Sequence, residues 1–250
     1  MELQQQDLLE LLHNSNSSSS STCNTSVSSD FNLKQLIEKS IKHFQEYIDT
    51  RRHLAGSDVT AYLAPTWCTT LESSMLWISG CRPSSYIRLL YAMSGKEFES
   101  HLSNYIQGNR SGHLSGLLTV QLNSVDELQR KTIRQEDQLS NKLASLQEEI
   151  ADQPFSIIAN EVGNLEEALD RHAKFLMNVV EEADKLRMET LKELVINILS
   201  PLQAVDFLIA SKKLHLCVNA WGKTRDHQHG RNRETIQDRN TCPNLSCLEN

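Results

Sequence analysis

Between residues 164 and 199, Leu165, Leu169, His172, Leu176, Val179, Ala183, Leu186, Thr190 and Leu194 keep to one stripe at three- and four-residue spacing. That period belongs to an amphipathic helix. At ~1.5 Å per residue the helix is about 50 Å long. Such a stripe has to be buried against other helices, and the rest of the chain supplies them. Leu33, Leu36, Ile37, Ile41, Phe44, Tyr47 and Ile48 predict a helix over 31–54 behind Asp30 as N-cap. Leu139, Leu143, Leu146 and Ile150 mark another over 120–150, broken at Pro154. Ser200-Pro201 ends the long helix and starts a last one, which runs to Trp221 with Gly222 after it. No alternating strand pattern competes. The expected fold class is all-α, a bundle of long antiparallel amphipathic helices.

The stretch 61–95 is denser. Thr69 followed by Glu72 fits a capping box, so a short helix is expected over 70–79. It would turn Leu71, Met75 and Ile78 inward, with Trp77 flanking them and Gly80 at C′. Pro83 then suits the first turn of a helix burying Tyr86, Ile87, Leu90 and Tyr91, with Gly95 at its end. A coiled-coil dimer over 122–150 is the competing arrangement. Val125, Thr132, Leu139 and Leu146 would serve as a positions, but Gln129 and Glu136 would fall at d, where a zipper wants leucine. Packing within one chain follows.

The ends differ from this body. Residues 1–12 carry Leu3, Leu8, Leu9, Leu11 and Leu12 in a short amphipathic pattern. Residues 14–30 hold 9 serines and only Cys23 and Val27 as apolar side chains, too little to offset ordering entropy. The tail beyond 226 has no periodicity. The expected organisation is a short helix plus disordered linker over 1–30, a helical domain over 31–226 and a disordered tail over 227–250.

Charge excludes some functions. The net charge is −7 and the pI about 5.7, so bulk electrostatic binding of nucleic acid is not expected. No run of 18 apolar residues spans a membrane, and the acidic N-terminus has no secretory h-region. Cysteines 23, 68, 81, 217, 242 and 247 are irregularly spaced, which reads as reduced thiols in a cytosolic or nuclear protein. Gly108, Gly112 and Gly116 lack the strand and Lys-Ser/Thr of a phosphate cradle. His227, His229, Cys242 and Cys247 do not match structural zinc spacings. No nucleophile elbow, H-E-x-x-H or supported Cys–His pair occurs, so no catalytic residue and no metal site are expected. Trp67, Trp77 and Trp221 read as core anchors rather than pocket walls. Lys223, Arg225, Arg231, Arg233 and Arg239 make the tail mildly basic. Arg82 and Arg88 are either anchors for a partner's carboxylate or phosphate, or structural pairs to a bundle carboxylate such as Glu72.

Several long strings carry a resemblance. They are Tyr62-Leu63-Ala64-Pro65-Thr66-Trp67, Trp77-Ile78-Ser79-Gly80-Cys81-Arg82-Pro83-Ser84-Ser85 and Arg88-Leu89-Leu90-Tyr91. Further on come Glu182-Ala183-Asp184-Lys185-Leu186-Arg187, then Leu199-Ser200-Pro201-Leu202-Gln203-Ala204, and Lys212-Lys213-Leu214-His215-Leu216 with Trp221-Gly222 closing. Over residues 31–226 the chain resembles the plant Delay of Germination family, whose domain is shared with the C-terminal half of TGA-type bZIP transcription factors. The resemblance implies a non-enzymatic regulator in the nucleus or cytoplasm, acting in seed dormancy and abscisic-acid signalling. The implied partners are proteins: type 2C phosphatases, TGA-type bZIP factors or co-regulators, or a second copy in a homo-oligomer. Direct DNA contact is not expected, because no basic-region helix runs into a leucine zipper. Haem is a further implication, with His215 as ligand. Asn219 stands where the founding member has its second histidine, and Asn is a poor iron ligand. Two alternatives remain: a transcription-regulating TGA-like protein associated with sequence-specific DNA binding, and a haem or apolar-ligand sensor. The region before Trp67 lacks the family's aromatic pattern, which is linked to phosphatase contact in the founding member.

Overall fold

A computed structural model of the chain describes residue 10 and residues 26–107, 117–152 and 165–230. The expected helix over 1–12, apart from Glu10, lies outside the described residues. So do the serine run before Ser26, the glycine segment 108–116, Pro154 and the tail from 231 on.

Seven α-helices make up the described body, with no strand among these residues. They are α1 (Ser26–Ser57), α2 (Val59–Leu63), α3 (Thr70–Ser74), α4 (Ser84–Gln107), α5 (Thr119–Asp152), α6 (Leu165–Lys192) and α7 (Pro201–Gln228). A π-helical stretch, Glu193–Ile198, extends α6. The all-α expectation holds.

Helix α1 buries Leu33, Leu36, Ile37, Ile41 and Ile48, while Tyr47 lies outside the core, 45% exposed. Helices α5 and α6 run antiparallel. The pairs Thr132 with Thr190 and Lys142 with Glu182 show the opposed register. Along α5 the residues first read as a positions, Val125, Thr132, Leu139 and Leu146, are all buried. They face α6, so one chain provides both sides of the seam.

Two apolar clusters result. One gathers α1, α4, the start of α5, the end of α6 and the first half of α7 around Ile87, Leu90, Val125, Leu194 and Phe207. The other joins α2, Ile78, the second half of α5 and the first half of α6 around Tyr62, Leu139, Leu146, Val180 and Ala183.

The joints explain themselves locally. Ser200 is extended, as a residue before proline must be, and its hydroxyl caps α7 in a capping box with Gln203. The Leu199 amide reaches back to the Leu194 carbonyl at 2.9 Å, closing the π turn. The Ile198 carbonyl left at that end accepts from the Gln121 side-chain amide at 2.8 Å.

Several boundaries differ from expectation. Helix α1 begins at Ser26, inside the segment read as linker. Helix α4 passes through Gly95 to Gln107, and α7 passes through Gly222 to Gln228. Asp58 caps α2, a turn of helix not anticipated, by accepting from the Thr60 and Ala61 amides. Helix α3 has the predicted capping box but stops at Ser74. Met75 is then 56% exposed rather than inward. Trp67 and Trp221, expected in the core, are 52% and 61% exposed.

Candidate functional site

Between the two apolar clusters lies a layer of buried polar side chains. It includes Arg51 from α1, Tyr62 from α2, Thr132 and Glu136 from α5, and Asp184, Arg187 and Thr190 from α6. At its centre the chain from Trp77 to Gly80 turns back on itself. The Trp77 amide donates to the Gly80 carbonyl at 2.8 Å, and the Gly80 amide returns to the Trp77 carbonyl at 3.1 Å. Ile78 and Ser79 have φ of 44° and 60°. Positive φ is costly for a β-branched residue such as Ile78, so the turn needs outside support.

Two arginines supply it. The Arg187 guanidinium is 2% exposed and donates to the carbonyls of Cys81 and Ile78, each at 2.8 Å, and to that of Trp77. Arg51 donates to the Ser79 carbonyl. Arg187 also pairs with Asp184 at 2.5 Å, and Asp184 accepts from the Tyr62 hydroxyl at 2.9 Å. The Arg51 cation sits 4.6 Å over the Tyr62 ring, and Arg187 5.3 Å over Trp77. Burial first, and then the Asp184 charge, push the Tyr62 phenol far above its ordinary pKa of 10.0. Gly80 is required by contact: a Cβ there would lie 2.7 Å from Arg187 Cζ.

A second buried carboxylate holds the start of α4. Glu136 is fully buried. It accepts from Arg82 Nε at 2.7 Å, the Ser84 amide at 2.6 Å and the Ser84 hydroxyl at 3.0 Å. An anion at a helix N-terminus is favoured by the unpaired amides and the dipole. Arg82 therefore pairs with Glu136 and Asp137 rather than with Glu72. Arg88 is exposed on α4 and is not brought near Arg82's partners in any hydrogen bond or ion pair among the described residues.

Glu72 serves elsewhere. Its carboxylate takes the Thr69 amide and hydroxyl, each at 2.8 Å, and the Asn219 side-chain amide at 3.0 and 3.1 Å. Burial works to raise the Glu72 pKa, but these hydrogen bonds outweigh it and hold the carboxyl below its ordinary range. Asp226, two turns of α7 further on, accepts from the Thr70 amide at 3.0 Å. Gly222 lets α7 approach this closely, since a Cβ there would meet Thr69 Oγ1 at 2.1 Å.

His215 lies on α7 one turn before Asn219. Desolvation by its surroundings lowers its pKa, with the Glu72 charge opposing. The buried Asn219 amide is committed to Glu72. The residues present therefore do not fit a haem held by two ligands one turn apart on this helix. Trp77 packs in the turn, donating to Ser140 at 3.0 Å, while Trp67 and Trp221 are exposed.

Sequence reasoning missed Arg51, Tyr62, Asp184 and Arg187 as a unit. One signal was present: Glu136 falls within the α5 seam, one turn before Leu139, as a buried and paired carboxylate does. The chemistry of the layer is architectural, because its charges end on backbone carbonyls, amides and each other.

Comparison with known proteins places this arrangement. Residues 6–92, which include the clamped turn, match the family model DOG1, described as seed dormancy control. The chain is 38% identical to protein DOG1-like 3 of Arabidopsis thaliana over 212 residues, covering 80% of this chain and 75% of that protein. With DOG1-like 1 of the same plant the identity is 39% over 231 residues, covering 82% of each. The chain belongs to the DOG1 family. A weaker similarity links it to transcription factor TGA1 of Arabidopsis thaliana, 29% over 187 residues, covering 72% of this chain but 44% of that factor. Relatives of this family member are thus DOG1-like proteins and TGA factors, as the quoted strings implied.

Proposed function

We propose that this chain is a non-enzymatic regulator of the seed-dormancy and abscisic-acid type, working through protein partners in the nucleus or cytoplasm. The observation that carries the reading is the 38% identity to DOG1-like 3 across 80% of the chain. The architecture supports it. The buried charges Glu136, Asp184 and Arg187 hold helices and a turn, and none is paired with a nucleophile at an open surface. The interaction unit is the helical domain, taken as 31–226. Exposed Arg88 is the basic side chain left for a partner's carboxylate or phosphate, while Arg82 stiffens the turn through Glu136. The partner class is a type 2C protein phosphatase.

Affinity capture of the tagged chain from plant seed extract tests this, beside a chain starting at residue 31. Recovery of a type 2C phosphatase by both chains places docking on the helical body. Recovery of neither phosphatase nor regulatory protein overturns the reading.

The TGA similarity favours a second reading, a transcription-regulating protein that joins bZIP factors or their co-regulators. Recovery of those proteins without phosphatase selects it. A flat DNA mobility shift at low salt is expected in either case, because the chain is acidic.

A further inference from the structure

The second half of α7 has two unlike faces. Asn219, Gly222 and Asp226 form the buried one, against α3. On the opposite side Leu214, Cys217, Trp221 and Arg225 recur at i, i+3, i+7 and i+11, and all are exposed. Leu214 is 48% exposed and Trp221 61%. Leu214 and Trp221 thus lie two turns apart on one exposed stripe, with Cys217 between them.

The charges that this part of α7 itself carries are one-sided. Residues 210–228 carry Lys212, Lys213, Lys223 and Arg225 against one carboxylate, Asp226, which is buried on the Thr70 amide. The chain as a whole is −7, and residues 120–200 alone hold 16 acidic and 9 basic side chains. A basic, apolar stripe within an acidic protein selects its occupant by charge. A second copy pairing α7 with α7 would set these cations against each other. Glu10, the one described residue of the chain's own Leu-rich segment, pairs with Lys39 on α1 at 2.5 Å.

We propose that the Leu214–Cys217–Trp221 stripe of α7 docks an acidic amphipathic helix of a partner protein. Leucines of that helix would pack on Trp221 and Leu214, and its flanking carboxylates would meet Lys213 and Arg225. Trp221 is the expected hot spot, a large aromatic at the centre of the patch. The inference rests on the reading of the chain as an interaction module but names the surface and the chemistry.

The test uses the full chain and two labelled synthetic helices with the same leucine stripe, one flanked by Glu and one by Lys. Fluorescence anisotropy is expected to show binding of the Glu helix only, weakening as salt rises. W221A and L214S should each weaken it at least 10-fold, R225E several-fold, and C217S little. All four positions are exposed, so circular dichroism should show intact folding. Binding of both helices alike, or binding unchanged in W221A and L214S, overturns the proposal. So does a dimer in light scattering that W221A dissolves. Binding of phosphatidylserine vesicles without peptide binding, lost in R225E, also overturns it and assigns the stripe to a membrane surface. Seed-extract capture that still returns partners with W221A would leave the interaction-module reading standing while this surface fails.

Discussion

The Arg187 layer and the α3–α7 junction use the same chemical parts in different surroundings. In both, a carboxylate collects backbone and side-chain donors and a glycine permits close approach. At Arg187 the charges are buried, with Asp184 1% exposed. At the junction Glu72 is half-buried and stands near His215 at the surface. The first holds a left-handed turn between two cores; the second pins a short helix to a long one. Desolvation makes a broken contact expensive in the first place, and water softens it in the second.

The largest expected effect comes from Arg187→Leu. It leaves Asp184 buried without its cation and frees the Trp77, Ile78 and Cys81 carbonyls. Loss of one partner of a buried pair costs about 3–5 kcal/mol. Urea unfolding should show that loss, and a drop below 1 kcal/mol would mean that water replaces the guanidinium. Glu136→Ala comes next. It strands the Ser84 amide and hydroxyl, for about 1–3 kcal/mol by the same measurement.

At the junction, Gly222→Ala forces a Cβ onto Thr69, and overpacking of this kind costs about 1–3 kcal/mol. Asn219→Ala should cost about 1 kcal/mol, because Glu72 keeps its bonds from Thr69 and its open side remains hydrated. If Asn219→Ala matched Arg187→Leu, the contrast between the two regions would fail.

The smallest effect is in pH. The folded His215 pKa lies below its ordinary 6.5, so the neutral form is favoured. Its contribution is present above pH 6.5 and is lost as pH falls through the folded value. The Glu72 pKa is also depressed below 4.5, so its contribution is present above that value and lost in stronger acid. Melting temperatures from pH 7.5 to 5 should therefore fall less in His215→Gln than in the native chain. A parallel fall in both would remove His215 from the pH response.

Much of the fold was legible because helix periodicity is local. The stripes on α1, α5 and α6, the Thr69–Glu72 box and the Ser200-Pro201 joint follow from neighbours within a few residues. The errors share one cause. By their neighbours alone Gly95 and Gly222 are stops, which is what glycine does in isolation. Packing of α7 on Thr69 instead gives Gly222 a place inside a helix. The size of Trp67 and Trp221 argues for the core, yet other residues fill it. Apolar spacing alone extends α3 to residue 79. Arg51 and Arg187 instead draw residues 77–80 into a turn.

The sequence by itself determined the long helices, their apolar faces, the acidic character and, through its longer strings, membership of the DOG1 family. These depend on short-range spacing and on residue identity, which the chain states directly. The tertiary structure alone decided which polar residues lie inside: Arg51 meets Ser79 and Arg187 meets Cys81 across 28 and 106 residues of chain. It also decided that Asn219 serves Glu72, 147 residues away. Such pairings exist only after separate helices have packed, since burial and partner are properties of the assembled bundle.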